Sequence, residues 1–389
     1  MRALVVACLA LVPLGAAADE ALRPIPVETL RALGPTVARG DMALFELDAE
    51  RRTRQLTLLA YTRAAPATVR EVVVHPERWK GFIRNLSRSD VEKKDDGAVV
   101  VNWRVELPIG HFDGHDEMRV AGEAAGPVEV RSVGPGNAGR FRWEFIPVAG
   151  GGTLIVYYGH YDGFAQIGLL ARMLARNPLY ASGLALSEGL VLVKGVQAEA
   201  ARREAEAARV SGGKLPALPT GSGPGFAPLL DRGTLAILRS DKAGSLVDIS
   251  VVERIPRPLG PLLETLRSPE TWPRATPSVK RCSVLARDPG GLDYRVDLDA
   301  IFMEINATMR LRFIPGGVDA LCIDGDIKGS RYRWDLSSSG AGRTLAVYRG
   351  NAHLGEGSTL MRALFAFEPL FEHTGNVTVG IFTMRAMMH

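Results

Sequence analysis

His75-Pro76-Glu77-Arg78-Trp79 and Ser268-Pro269-Glu270-Thr271-Trp272 stand 193 residues apart, and reading outward from them the chain repeats itself. At the same spacing Arg39-Gly40 matches Arg232-Gly233. At a spacing of 191, Arg104-Val105-Glu106-Leu107 matches Arg295-Val296-Asp297-Leu298, and Met118-Arg119-Val120 matches Met309-Arg310-Leu311. Trp143, Thr153, Tyr157 and Gly159 then match Trp334, Thr344, Tyr348 and Gly350. A period this long is that of a whole domain and not of a solenoid unit, so the chain is read as a tandem duplication. The first copy is placed at 39–208 and the second at 229–389. Residues 209–228, rich in Gly, Pro and Ser, are expected to be an extended link between two separate sheets.

Within each copy the apolar period is mostly two. Val99, Val101, Trp103, Val105 and Leu107 alternate with polar neighbours, as do Leu292, Tyr294, Val296 and Leu298. Ile305, Ala307, Met309, Leu311 and Phe313, and likewise Phe141, Trp143 and Phe145, repeat the pattern. Such alternation predicts antiparallel strands with one buried face, separated by glycine-bearing turns such as Asp95-Asp96-Gly97 and Pro289-Gly290-Gly291. Short helices are predicted near 66–74 and 258–266, and long ones near 178–207 and 369–387, with Pro178 and Pro369 in their first turns. The fold class is therefore α+β: two tandem domains, each a curved antiparallel sheet wrapped around a long C-terminal helix.

The formal net charge is +4 over 389 residues, too small an excess for a nucleic-acid binder. Residues 1–18, MRALVVACLALVPLGAAA, read as a secretory signal peptide with cleavage after Ala18. The product is expected to be exported, periplasmic or extracellular. Of the three cysteines, Cys282 and Cys322 fall on apolar runs assigned to non-neighbouring strands, which favours two buried thiols over a bridge.

The stretches Val74-His75-Pro76-Glu77-Arg78-Trp79 and Leu266-Arg267-Ser268-Pro269-Glu270-Thr271-Trp272-Pro273 resemble the START-like (SRPBCC, helix-grip) superfamily, in particular its polyketide cyclase/dehydrase and coenzyme Q-binding branch. The resemblance extends in outline over both copies. In the first, Trp79 is followed by Lys80-Gly81-Phe82 where the family pattern has a proline. The motif is structural, so the resemblance implies a helix-grip fold and says little about the ligand.

His111, Asp113 and His115 share a strand face, as metal ligands must. The second copy places the apolar set on the opposite face, so the histidines are expected in solvent. Neither a metal nor another cofactor is expected. Asp116 falls on the inward register, opposite Ala307 when the copies are aligned at 191. There a carboxyl with a raised pKa would meet a ligand hydroxyl or carbonyl, the plain alternative being a strand-end carboxylate bonded to backbone amides. His160, near Tyr158 and Asp162, is a possible acid/base group, the alternative being a surface histidine. The sequence holds no nucleophile elbow, phosphate loop or nucleotide fingerprint, and no catalytic residue is assigned.

A long helix over a curved sheet leaves a space that side chains or a ligand must fill. Trp103, Asp116, Met118, Trp143 and Tyr157 are expected to line it in the first copy, and Tyr294, Met309, Trp334 and Tyr348 in the second. Gly114, Gly159, Ala307, Gly350 and Ala352 leave room on the inner strands. An apolar pocket with few polar groups suits a lipid, isoprenoid or sterol-like molecule. The expected partner is thus a hydrophobic small molecule or lipid, with transient membrane contact and no nucleic acid. The rivals are a cyclase/aromatase-like enzyme using Asp116, His160 or Tyr157, and a solidly packed structural module.

Overall fold

The computed structural model describes residues 21–48, 53–107, 110–121, 126–133, 139–161, 179–215, 226–241, 243–276, 278–300, 303–340, 342–354 and 359–386. The first half runs α1 (Val27–Val37), β1 (Asp41–Leu47), β2 (Thr53–Thr62), α2 (Pro66–Val73), β3 (Leu86–Lys93), β4 (Val99–Leu107), β5 (Gly110–Val120), β6 (Val128–Ser132), β7 (Gly139–Pro147), β8 (Thr153–Tyr161) and α3 (Leu179–Ser211). The second half runs α4 (Ala227–Leu230), β9 (Thr234–Ser240), β10 (Leu246–Ile255), α5 (Leu259–Arg267), α6 (Trp272–Ala275) and β11 (Val279–Asp288). It continues through β12 (Gly291–Ala300), β13 (Met303–Ile314), β14 (Gly317–Gly325), β15 (Arg331–Ser338), β16 (Thr344–Asn351), α7 (Thr359–Phe367) and α8 (Leu370–Ala386). Of the linker assigned from sequence, residues 216–225 lie outside the described residues. So do the leader and Asp162.

The two halves repeat one strand order, β1-β2-β8-β7-β6-β5-β4-β3 and β9-β10-β16-β15-β14-β13-β12-β11. The matched residues of the sequence hold the same joints in each. The indole of Trp79 donates to the Val72 carbonyl at 3.2 Å and that of Trp272 to Thr265 at 2.9 Å. The hydroxyl of Thr153 donates to the Ala64 carbonyl at 2.7 Å and that of Thr344 to Arg257 at 2.8 Å. These bonds pin the short helix to the sheet, because a buried indole or hydroxyl without a partner is costly.

Two expectations are corrected. The first concerns register. The backbone bonds Glu106 N to Asn85 O and Asp299 N to Ser278 O are equivalent, so the spacing is still 193 on β4. Val99 pairs with Met118 and Leu292 with Leu311, which carries 193 through β5. Asp116 therefore corresponds to Met309 and not to Ala307. Both shifts preserve strand parity, so the inward and outward assignments survive.

The second concerns separation. β1 pairs with β9 antiparallel, joining both halves into one sheet of sixteen strands among the described residues. Ala43 lies opposite Ala236, its own counterpart, with Met42 opposite Ile237 and Leu44 opposite Leu235. This self-complementary pattern is that of an isologous interface built within one chain. Gly40 and Gly233 make it possible. A Cβ on Gly233 would lie 2.1 Å from the Phe45 carbonyl oxygen, and one on Gly40 2.8 Å from that of Leu238. The helices meet across the same axis: the Ser187 hydroxyl donates to Thr374 at 3.1 Å, and Gly183 leaves room for the Thr378 hydroxyl. Pairing the edges removes two exposed strand edges from the assembly. Gly233→Val is accordingly expected to open the junction. Hydrogen exchange should then speed up in β1 and β9 while β12 and β13 stay protected; unchanged protection in β1 would refute this role for the glycine.

At the junction both sheet faces are covered. On the inner face, toward α3 and α8, one apolar core runs through both halves. On the outer face, α1 buries Leu30, Leu33 and Val37 against Met42, Leu44, Leu59, Leu154 and Val156. Among the described residues the second half has only the single turn of α4 in the comparable place. An outer groove of about 590 Å³ remains there, floored by Ile237, Val252, Leu345 and Val347.

Candidate functional site

Each long helix seats on the sheet at a glycine. A Cβ on Gly189 would lie 2.6 Å from Leu58 and 3.3 Å from Tyr157, and one on Gly380 2.6 Å from Val251 and 3.0 Å from Tyr348. The same aromatic cluster lies beneath both. Trp143 meets Tyr157 edge-on at 4.8 Å and Phe141 stacks on Tyr157 at 5.9 Å. In the second half Trp334 meets Tyr348 edge-on at 5.0 Å and Tyr332 stacks on Tyr348 at 5.7 Å. Tilted and offset contacts of this kind are favoured by the ring quadrupoles. Each half is thus an antiparallel sheet with a long helix packed across its inner face.

No family model and no curated protein matches the chain. Among solved structures it is similar to the di-domain ARO/CYC StfQ from the steffimycin biosynthetic pathway, at 15% identity over 85% of this chain and 97% of that one, with a TM-score of 0.29. A STAR-related lipid transfer protein fragment from Xanthomonas axonopodis is 14% identical over 39% of this chain and 93% of its own, with a TM-score of 0.31. The Zhui aromatase/cyclase from Streptomyces sp. R1128 is 16% identical over 36% and 94%, with a TM-score of 0.27. Each is a likeness of chain course.

The inner side of the first domain contains the residues singled out from sequence, and one that was not. Trp143, Tyr157 and Met118 are buried in the inner core, and Trp103 packs against it half-buried. Trp103 covers Gly114 on the neighbouring strand, where a Cβ would sit 2.0 Å from the indole ring. This close cover turns the indole N–H onto Asp116, donating at 2.8 Å, while the Ser132 hydroxyl donates to the other carboxyl oxygen at 2.7 Å. Burial raises the Asp116 pKa, and the Ser132 and Trp103 donors hold it back. Asp116 is thus bonded to side chains and not to the strand-end amides that the plain alternative supposed.

The missed residue is Glu188, on α3 next to the seating Gly189. Burial, with Asp116 as the second cause, pushes its pKa up to about 8. Among the described residues nothing donates a hydrogen bond to its carboxyl. Both acids are desolvated, yet both keep some accessible surface. The two observations agree if that surface faces a space enclosed between helix and sheet. The signal was present in the sequence as a lone acid inside the apolar helical run Leu184–Val193.

Several other groups do not join this site. His160 lies on the outer face with Tyr158, its Nδ1 against the Arg54 carbonyl, and is buried where a surface histidine was the alternative. Strand parity puts it on the opposite face from Tyr157, so the two cannot form one acid/base pair. Asp113 is held by Arg104 at 2.9 and 3.0 Å and by Arg88 at 3.2 Å, with His111 and His115 exposed beside it. Among the described residues no group of three or more side chains is placed to hold a metal.

The inner core of the second half has a different polarity. Tyr294, Met309, Trp334 and Tyr348 are all buried in the inner core, and Tyr294 meets Trp272 edge-on at 5.5 Å. Met309 stands where the first domain has Asp116, and Val379 where it has Glu188. Burial raises the phenols of Tyr294, Tyr332 and Tyr348 and pushes the Cys282 thiol up to about 12. Both cysteines are free, Cys282 on β11 and Cys322 on β14. The duplicated scaffold thus carries two acids in one half where the other has Met309 and Val379.

Proposed function

We propose that the chain is an exported binder or carrier of a hydrophobic ligand of lipid, isoprenoid or sterol-like character, held under the long helices. The observation that carries this reading is the interior of the first domain. Carboxyls deep beneath α3 keep accessible surface, which a solidly packed module would not leave them. Trp103, half-buried with its indole on Asp116, supplies apolar surface for such a ligand, and each buried CH₂ contributes about 0.8 kcal/mol. In an aqueous compartment outside the cytoplasm lipids have no diffusive route of their own, which a carrier supplies. None of the helices among the described residues is long and apolar enough to cross a membrane, and we assign contact with a membrane to transient loading and release.

One observation favours the rival reading, an enzyme similar to polyketide cyclases. Two ionisable groups, Asp116 and Glu188, act on one another in the first domain, and burial raises the pKa of both, as acid/base work near neutral pH favours. A fluorescent-lipid displacement assay separates the readings. Asp116→Ala is expected to leave lipid affinity within a few-fold, since apolar contact dominates. If the variant instead abolishes turnover of a polyketide-like substrate while binding persists, the enzyme replaces the carrier.

A further inference from the structure

We propose that the outer groove of the second half docks a partner protein's amphipathic helix led by an acidic residue, in the place that the start of α1 takes on the first half. This surface is on the face of the sheet opposite the proposed ligand site and does not depend on it. α4 is the last turn of a second α1. At the spacing of 193, Gly34-Pro35-Thr36-Val37 falls on Ala227-Pro228-Leu229-Leu230. The backbone bonds Ala38 N to Gly34 O and Arg39 N to Thr36 O return as Asp231 N to Ala227 O and Arg232 N to Leu229 O. The groove of about 590 Å³ opens beside this turn, against Phe226, Ala227 and Leu230. Its floor repeats the one that α1 covers: strand pairing sets Ile237 on Leu44, Val252 on Leu59, Leu345 on Leu154 and Val347 on Val156. The four first-half residues are fully buried, whereas Ile237, Leu345 and Val347 stay partly exposed. Covering such a floor with an apolar helix face is favourable.

The polar rim says which helix fits. In the first half residues 23–25 lead into α1 and bond to three side chains. The Arg23 N–H donates to Gln55 at 2.7 Å, its guanidinium to Glu46 at 3.3 Å, and the Ile25 N–H to the Tyr158 hydroxyl at 3.1 Å. In the second half these three positions are Asp248, Arg239 and Arg349, all on the groove wall. The carboxylate that receives Arg23 is replaced by a cation, and a second cation stands where Tyr158 met the backbone. Asp248 holds Arg239, accepting from its Nε at 2.7 Å. Arg349 is exposed and has no ion pair among the described residues. A carboxylate ahead of the docked helix therefore gains a partner, while an arginine there meets repulsion. This sets aside a second copy of the chain, whose α1 is led by Arg23. Residues 216–225, PALPTGSGPG, hold no acid, and Gly223 stands where α1 has Leu30. Two turns of helix bury too little for a permanent complex, so the contact is a transient one.

The test uses the full chain and two fluorescein-labelled peptides with the sequence of residues 22–37, one unchanged and one carrying Arg23→Glu. Forming the helix on binding costs both the same, so their ratio reads the charge. The Glu peptide is expected to bind about fivefold tighter, from one exposed ion pair gained and one like-charge contact removed, and the difference should vanish in about 0.5 M salt. Arg349→Glu, a change at an exposed position, should reverse the order. Val347→Trp, which fills the floor, should weaken both peptides by about tenfold or more, with an unchanged thermal midpoint showing that it is folded. Equal binding of the two peptides, or an order unmoved by Arg349→Glu, overturns the proposal. Tighter binding of the unchanged peptide, with dimerisation of the chain, would make a second copy the occupant. Peptides that bind only after residues 216–225 are replaced by a Gly-Ser run of equal length would show the chain covering its own groove. Displacement of the Glu peptide by dodecanoate at lower concentration would show a site for anionic amphiphiles. Each of these three results, like a failure of both peptides to bind any form of the chain, overturns the partner helix.

Discussion

Trp143→Ala should lower stability by about 3–5 kcal/mol, the range for deleting a large aromatic from a packed core. The ring is 2% exposed, meets Tyr157 edge-on at 4.8 Å, and supports the tyrosine against which α3 seats at Gly189. Loss of the indole removes both its own burial and the wall that holds Tyr157. Trp334→Ala should behave in kind, since Trp334 makes the same contact with Tyr348 at 5.0 Å. Urea unfolding of both variants, followed by probes in each half, checks this. The joined sheet and the shared inner core predict that either substitution lowers the transition of both halves together. Two independent transitions, with only the mutated half shifted, would show that the β1–β9 junction contributes little.

The second large effect is pH-dependent. Burial pushes the Glu188 pKa up to about 8 from the 4.5 of an ordinary glutamate, so folding favours its protonated form. The sign follows from linkage: the native state is not penalised below the unfolded value, loses stability as pH rises between the two values, and stays at the lower level above the folded one. Glu188→Gln should therefore match wild type at pH 4 and exceed it increasingly up to pH 8. The gain should reach about 2–4 kcal/mol at pH 9, discounted from the full shift because the side chain keeps some accessible surface. Denaturation at pH 4, 7 and 9 measures it. A constant difference at all three would mean that the carboxyl is hydrated and does not face an enclosed space.

Much of this was legible because the sequence says it twice. Trp79 and Trp272, and Thr153 and Thr344, are matched residues whose side chains fasten helix to sheet and strand to loop at equivalent backbone carbonyls. Alternation placed Trp143, Tyr157, Trp334 and Tyr348 on the inner face because a strand has only two faces. The junction was not legible in that way. Edge pairing is made by backbone groups that every strand carries, and local pattern does not specify the partner. Two signs of it were nonetheless present: Arg39-Gly40 and Arg232-Gly233, the matched glycines that meet the neighbouring strand's carbonyls, and the unbroken run Met42–Phe45, which fits a strand covered on both faces. The helix α1 that supplies the outer cover lies ahead of the repeated segment. Asp116 was found by its register, but its counterpart was misplaced by two residues, since identities such as Arg104-Val105 against Arg295-Val296 outweighed a ladder that only the backbone bonds reveal. Glu188 was passed over because helical period alone does not say that a lone acid in an apolar run points inward.

The proposed function requires that an apolar molecule bind beneath α3 or α8. Native mass spectrometry of the full chain, purified without detergent from its own host, tests it most directly. The account predicts a noncovalent adduct of at most one molecule per domain, extractable into organic solvent. Protein free of any adduct, and unshifted in thermal midpoint by apolar ligands added at saturation, would contradict it.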